Sequence, residues 1–343
     1  MYQSTLPDIS GGRCRAVFER GGTSRPGSQP QAVHGWLDGG SPLQCTARVD
    51  DDRTSNRPES ELRTLTLTGV AMLALAANPL LCRMALGAGH IDAASFTSIR
   101  VVAGAAMLWL LMAWTRRGGE RKPVDWRAVV TLFGYMIFFS FAYLSISVGT
   151  GALILFGAVL LTMFAVALKS GERFLPLSWA GLVIAILGLV YLVSPGVTAP
   201  EPVGAALMAV AGVAWGLYSL LGRGEVDPLG TTADNFLYAV PLAVAVNLVF
   251  WNDAHTSWHG VGLAALSGAI ASGLGYALWY AVLAGMPATR AATAQLSVPV
   301  IAALGGVVLL AEPLTFRLVV SSIATLGGIA IVLMQRGVSN KAA

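Results

Sequence analysis

GERFLPLSWAGLVIAILGLV at 171–190 and AEPLTFRLVVSSIATLGGIA at 311–330 are the two stretches whose reading decides the fold. Each opens on a glutamate and a proline and continues as a long, Gly-punctuated apolar run. A shift of 140 residues superposes Glu172 on Glu312, Gly188 on Gly328 and Leu153 on Thr293. Near the start of each half, ALAANPLL (74–81) is echoed by GVAWGLYS (212–219) at a shift of 138. Working outward, runs of spanning length fall near 64–83, 96–115, 128–148, 150–168, 177–194, 203–222, 233–251, 260–284, 288–310 and 316–335. A helix needs about 20 predominantly apolar residues to cross a bilayer. None of the runs alternates strictly, which favours helices over a β-barrel.

Composition agrees. Hydrophobic residues make up 55% of the 343-residue chain and charged residues only 12%, with a mean hydropathy of +0.67. A soluble domain gives about a quarter of its residues to charge, so most of this surface faces lipid. The expected fold is an all-α integral membrane protein of ten transmembrane helices. Residues 63–195 form a first five-helix unit, residues 203–336 a second, and 337–343 a cytoplasmic tail. Residues 1–62 hold Gly, Ser, Pro, Arg and Asp without apolar periodicity, and are expected to be disordered or a spurious upstream extension. No Met falls between Met1 and Met72. Cys14, Cys45 and Cys82 form no disulfide, zinc or redox motif.

Five is odd, so the second unit enters the membrane in the opposite sense to the first. Charge agrees with that inversion. With both termini inside, cytoplasmic loops and tail carry eleven Lys or Arg, against Arg83, Arg100 and Arg317 outside, as the positive-inside rule requires. The net charge of +4 therefore reports basic loops, not a nucleic-acid footprint. Two inverted copies create a pseudo-twofold axis in the membrane plane, the geometry by which halves exchange conformation and alternate access.

The paired Glu-containing hairpins, the Gly-rich last span and PATRAATAQLSVPVIAALGGVVLLAEPLT at 287–315 resemble the drug/metabolite transporter superfamily, in particular its EamA-type members, over about residues 66–335. The first copy departs from the pattern, with Val159 where the second copy has Pro299. The resemblance implies a multi-pass protein of a bacterial-type inner membrane that exports or exchanges a small polar metabolite, such as an amino acid or related compound. The cavity would lie between the halves, with the lipid bilayer as surroundings and no cofactor.

Candidate solute contacts follow. Asn78 precedes Pro79 in mid-span, where the proline frees the carbonyl of Leu75 and leaves a polar spot. Its second-copy counterparts are Trp215 and Gly216, with Tyr218 nearby. Interhelical bonding is the competing role for Asn78. Tyr143 in the third span with Tyr276, Trp279 and Tyr280 in the eighth forms the richest aromatic cluster, and the three of the eighth span share one helix face. Tyr280 is assigned to the interfacial belt, and Tyr276 and Trp279 to the pathway. Thr293 and Gln295 are the polar contacts of the ninth span. Arg100 opens the second span and either snorkels to the headgroups or, as the resemblance implies, anchors a substrate carboxylate. Arg290, at the start of the ninth span, is similar, but it also fits the cytoplasmic count as an ordinary topology determinant. Glu172 and Glu312 are read as caps of the helices that follow them.

Other classes fit less well. His255 and His259 beside Asp253 lack metal-site spacing, and no span contains a His to serve as a buried base, which argues against an enzyme. A channel needs a continuous polar lining, whereas these spans carry isolated polar residues. No span interior carries an Asp or Glu, which favours facilitated transport or exchange over proton coupling.

Overall fold

The computed structural model describes residues 33–36, 42–45, 57–115, 123–172, 174–283, 286 and 288–339, and the chain divides into two units between residues 61 and 62. In the leading unit, β1 (Val33–Trp36) pairs antiparallel with β2 (Pro42–Cys45), Val33 opposite Cys45. The expectation that residues 1–62 are disordered or a spurious extension falls largely outside the described residues. Val33 and Trp36 favour extended backbone.

The helices are, in order, α1 (Arg57–Gly87), which begins before the division between residues 61 and 62, α2 (Ala93–Thr115), α3 (Trp126–Ala142), α4 (Val148–Lys169), α5 (Pro176–Val193), α6 (Pro202–Leu221) and α7 (Pro228–Val249). An eighth span follows as α8 (Trp258–Leu266), a π-helical stretch (Ser267–Leu274) and α9 (Gly275–Leu283). A ninth is divided at Leu296 into α10 (Ala288–Gln295) and α11 (Ser297–Leu310), and α12 (Phe316–Ser339) is the last. Among the described residues, nine helical spans are long and apolar enough to cross a membrane, and α3 is a shorter apolar helix in the remaining position. Large apolar side chains such as Trp114, Leu187 and Val308 lie exposed on the outside, as lipid-facing residues do. The chain is a multi-pass α-helical membrane protein.

Helix boundaries follow from capping. Ser147 accepts from the amide of Thr150, Asp227 from Gly230 and Ser257 from Gly260. Pro176, Pro202 and Pro228 open α5, α6 and α7, where a missing N–H costs nothing. The apolar runs 128–148 and 150–168 place the turn between the third and fourth spans near residue 149. It falls earlier, at residues 143–147, because Ser147 caps α4 and the Tyr143 ring covers Gly151, where any Cβ would strike it.

Helices distant in the chain pack in pairs: α2 packs on α7, α4 on α11 and α5 along α12, while α3 and α4 flank α6. At the α5–α12 crossing, Gly181 and Gly328 face each other so closely that a Cβ on either would strike the other's carbonyl. Small residues permit this approach. At one end of the bundle, the loop after α1 joins the loop before α8. Asp92 N–H donates to the His255 carbonyl (3.1 Å), Ser257 N–H donates to the His90 carbonyl (2.8 Å), and the Asp92 carboxylate accepts from the amides of Ser95 and His255. His255 takes part in that bridge through its backbone.

Candidate solute-binding site

Asp92 caps α2, so the helix begins at Ala93 and Arg100 sits two turns inside it. This corrects the sequence placement of Arg100 at a membrane edge: its side chain is fully buried and cannot snorkel. The guanidinium lies 5.4 Å from the ring centre of Tyr135 and 5.1 Å from that of Phe139. Nη2 donates to the Tyr135 hydroxyl at 3.4 Å. Nε and Nη1 have no hydrogen-bond partner among the described residues, nor does the group form an ion pair among them. Arginine stays protonated in proteins, so this is a buried, partly unsatisfied cation.

Rings extend inward from it. Tyr135 lies 4.8 Å from Trp215, which stacks nearly parallel on Tyr276 at 5.7 Å and lies 5.5 Å from Tyr218. Phe236 closes edge-on against Tyr276. Beyond the rings is a neutral hydrogen-bonding cluster. The Tyr218 hydroxyl donates to Thr232 Oγ1 (3.3 Å) and accepts from Asn235 Nδ2 (3.4 Å), and Thr232 Oγ1 lies 3.0 Å from the Tyr280 hydroxyl. The site therefore has a cationic end, an aromatic middle and a neutral hydroxyl-and-amide end, built by α2, α3, α6, α7 and α9. The π-helical stretch passes close to α2: a Cβ on Gly268 would strike the Arg100 carbonyl. Such segments recur at functional sites.

Of the sequence candidates, the structure gathers Arg100, Trp215, Tyr218 and Tyr276 here. Tyr280 joins them instead of lying in an interfacial belt, because its hydroxyl finds Thr232 within the bundle. Asn78 is buried and accepts a 2.6 Å hydrogen bond from Ser267 Oγ, the interhelical role weighed against solute contact. Trp279 is buried in a different apolar cluster, with Ala71, Met72, Ala76 and Val298. Gln295 is half-buried at the end of α10, and Arg290 and Thr293 are exposed. Sequence reasoning missed Tyr135, Phe139, Thr232, Asn235 and Phe236. The spacings of Tyr135 with Phe139 and of Thr232 with Asn235 and Phe236, one helical turn each, were the available signal.

A second polar centre ties the halves together near the start of α4. Both Glu312 oxygens lie within hydrogen-bond distance of the Val148 amide (3.1 and 2.9 Å), and Glu312 Oε1 is 3.6 Å from Arg83 Nε. Arg83 Nη1 in turn donates to the carbonyls of Tyr143 and Leu144 after α3. Glu312 was expected to cap α12, the helix that follows it. It caps α4 instead, because Ala311 adopts a left-handed conformation (φ 51°) that turns the chain back. Burial raises the Glu312 carboxyl above the usual carboxylate range, against the Val148 amide and Arg83, which lower it.

The EamA-like transporter family profile matches residues 202–334. An uncharacterized protein of Pseudomonas aeruginosa is 49% identical over 274 residues, covering 80% of this chain and 96% of its own. The threonine/homoserine exporter RhtA of Salmonella typhimurium is 32% identical over 155 residues, 44% of this chain and 52% of the exporter. A crystal structure 21% identical in sequence superposes with a TM-score of 0.57, covering 78% of this chain and 98% of that one; at that identity the likeness is one of fold. The family match, the named exporter relative and the apolar helices together indicate a multi-pass membrane transporter. The chain belongs to the EamA-like transporter family.

Proposed function

We propose that this protein is an inner-membrane secondary carrier, an exporter or exchanger, of a small polar metabolite bearing a carboxylate, an amino acid or related compound. The observation that carries the reading is Arg100, a buried cation with two nitrogens left without a partner among the described residues. An unpaired charge in a bilayer core is costly and is characteristic of substrate and ion pathways. A planar guanidinium with free donors suits a carboxylate, which it binds through paired hydrogen bonds. The rings of Tyr135, Trp215 and Tyr276 would cover the solute, and the Tyr218–Thr232–Asn235–Tyr280 cluster would meet its polar end. The exporter relative, named for threonine and homoserine, supports solutes of this size and polarity.

Movement would proceed by alternating access between inverted five-helix halves. The pairing of α2 with α7, α4 with α11 and α5 with α12 supports a two-half arrangement, and the eleven-to-three bias of Lys and Arg supports cytoplasmic termini. The test is counterflow in proteoliposomes loaded with a panel of unlabelled amino acids and hydroxy acids. Saturable accumulation of label against its gradient is expected with at least one solute. Flux that rises linearly with concentration and shows no counterflow would identify a channel.

A further inference from the structure

We propose that the site selects net monoanionic solutes, carboxylates whose other polar groups are uncharged, over zwitterionic amino acids of the same shape. The inference rests on the reading of Arg100 as the solute's anchor. Its guanidinium is fully buried and meets two ring faces and one phenol hydroxyl. Ring faces attract a cation without neutralising it. A carboxylate on either edge of the guanidinium, pairing Nη2 with Nε or with Nη1, supplies an unpartnered nitrogen with an acceptor and cancels the charge, so the loaded site is neutral.

The far end of the site completes the argument. Tyr218, Thr232, Asn235 and Tyr280 offer hydroxyls and an amide already bonded to one another. Such groups exchange hydrogen bonds readily with a hydroxyl or amide of the solute. They carry no negative charge to receive an ammonium. The carboxylates nearest the site in the chain are otherwise engaged or placed: Asp92 holds the amides of Ser95 and His255, Asp227 accepts from the amide of Gly230, Glu225 accepts from the Thr231 hydroxyl, and Asp234, the acidic neighbour of Thr232 and Asn235, is partly exposed. A zwitterion would neutralise Arg100 only by bringing a second cation into the same low-dielectric core. Desolvation and like-charge repulsion both oppose that, and cation–π contact with Trp215 or Tyr276 offsets only part of it.

The experiment titrates purified full-length protein at neutral pH with matched pairs in which a hydroxyl replaces the ammonium. The pairs are threonine against 2,3-dihydroxybutyrate and phenylalanine against 3-phenyllactate, with binding read by calorimetry and thermal shift. In at least one pair the hydroxy acid is expected to bind about fivefold or more tightly. Arg100→Lys keeps that order and Arg100→Gln removes hydroxy-acid binding. A smaller difference, or the reverse order, in both pairs overturns monoanion selection; if binding is still lost in Arg100→Gln, Arg100 remains the anchor. Binding of no member of either pair, or binding undiminished in Arg100→Gln, overturns the selection and the anchor together. The ranking in the unmodified protein decides the matter by itself should the Gln variant fail to fold.

Discussion

Asn78 and Arg100 are the two side chains whose roles changed most between sequence and structure. Both are buried and polar in the membrane body, yet Asn78 holds Ser267 at 2.6 Å while two nitrogens of Arg100 hold nothing among the described residues. A satisfied amide between helices is a structural bond, worth about 1 kcal/mol in membrane proteins. Asn78→Ala is therefore expected to lower the melting temperature by a few degrees while leaving solute affinity unchanged. An affinity loss of about tenfold with unaltered melting would return Asn78 to the solute path. Sequence revealed that Asn78 is polar at depth, but its partner lies 189 residues away, which no local pattern encodes. Arg100 was misplaced for a different reason. Hydropathy starts the second span at 96, whereas the Asp92 cap starts the helix at Ala93 and draws the arginine inward. Trp215, Tyr218 and Tyr276 stood out as aromatics in spans. Tyr135 and Phe139 did not, because which face of α3 turns inward is decided by packing.

The helices themselves were largely legible, since about 20 apolar residues between polar breaks leave few alternatives. Their interruptions were less so. Pro79 and Pro241 sit within the unbroken α1 and α7, whereas the ninth span is divided just before Pro299. α4, which carries Val159 where the sequence comparison aligns Pro299, runs unbroken. The capping role of Glu312 was read correctly in kind but assigned to the wrong helix. Because burial raises its carboxyl above the usual range, the folded state binds this proton more readily than the unfolded chain. Stability from this group is thus gained as pH falls from neutral toward the unfolded carboxylate range, and lost as pH rises through the folded value. Melting curves between about pH 4.5 and 7 should show the native protein gaining stability relative to Glu312→Gln as pH falls. A relative loss over that window would mean that the Val148 amide and Arg83 outweigh burial.

Across the whole molecule, helices pair between halves, and the sites differ in what those pairings hold. The Arg83–Glu312–Val148 centre joins the start of α4 to the second half through groups that find partners within the protein. The Arg100 site instead leaves donors open in the middle of a membrane body whose relatives include an exporter. That contrast makes the guanidinium, rather than the aromatic residues alone, the basis of the carrier reading. Counterflow in proteoliposomes containing the native protein, Arg100→Lys or Arg100→Gln, at matched levels of inserted protein, tests it most directly. Loss of a charge-assisted hydrogen bond predicts a roughly ten- to hundredfold fall in counterflow for Arg100→Gln, with Arg100→Lys retaining part of the activity. Native counterflow kinetics in Arg100→Gln would contradict the account.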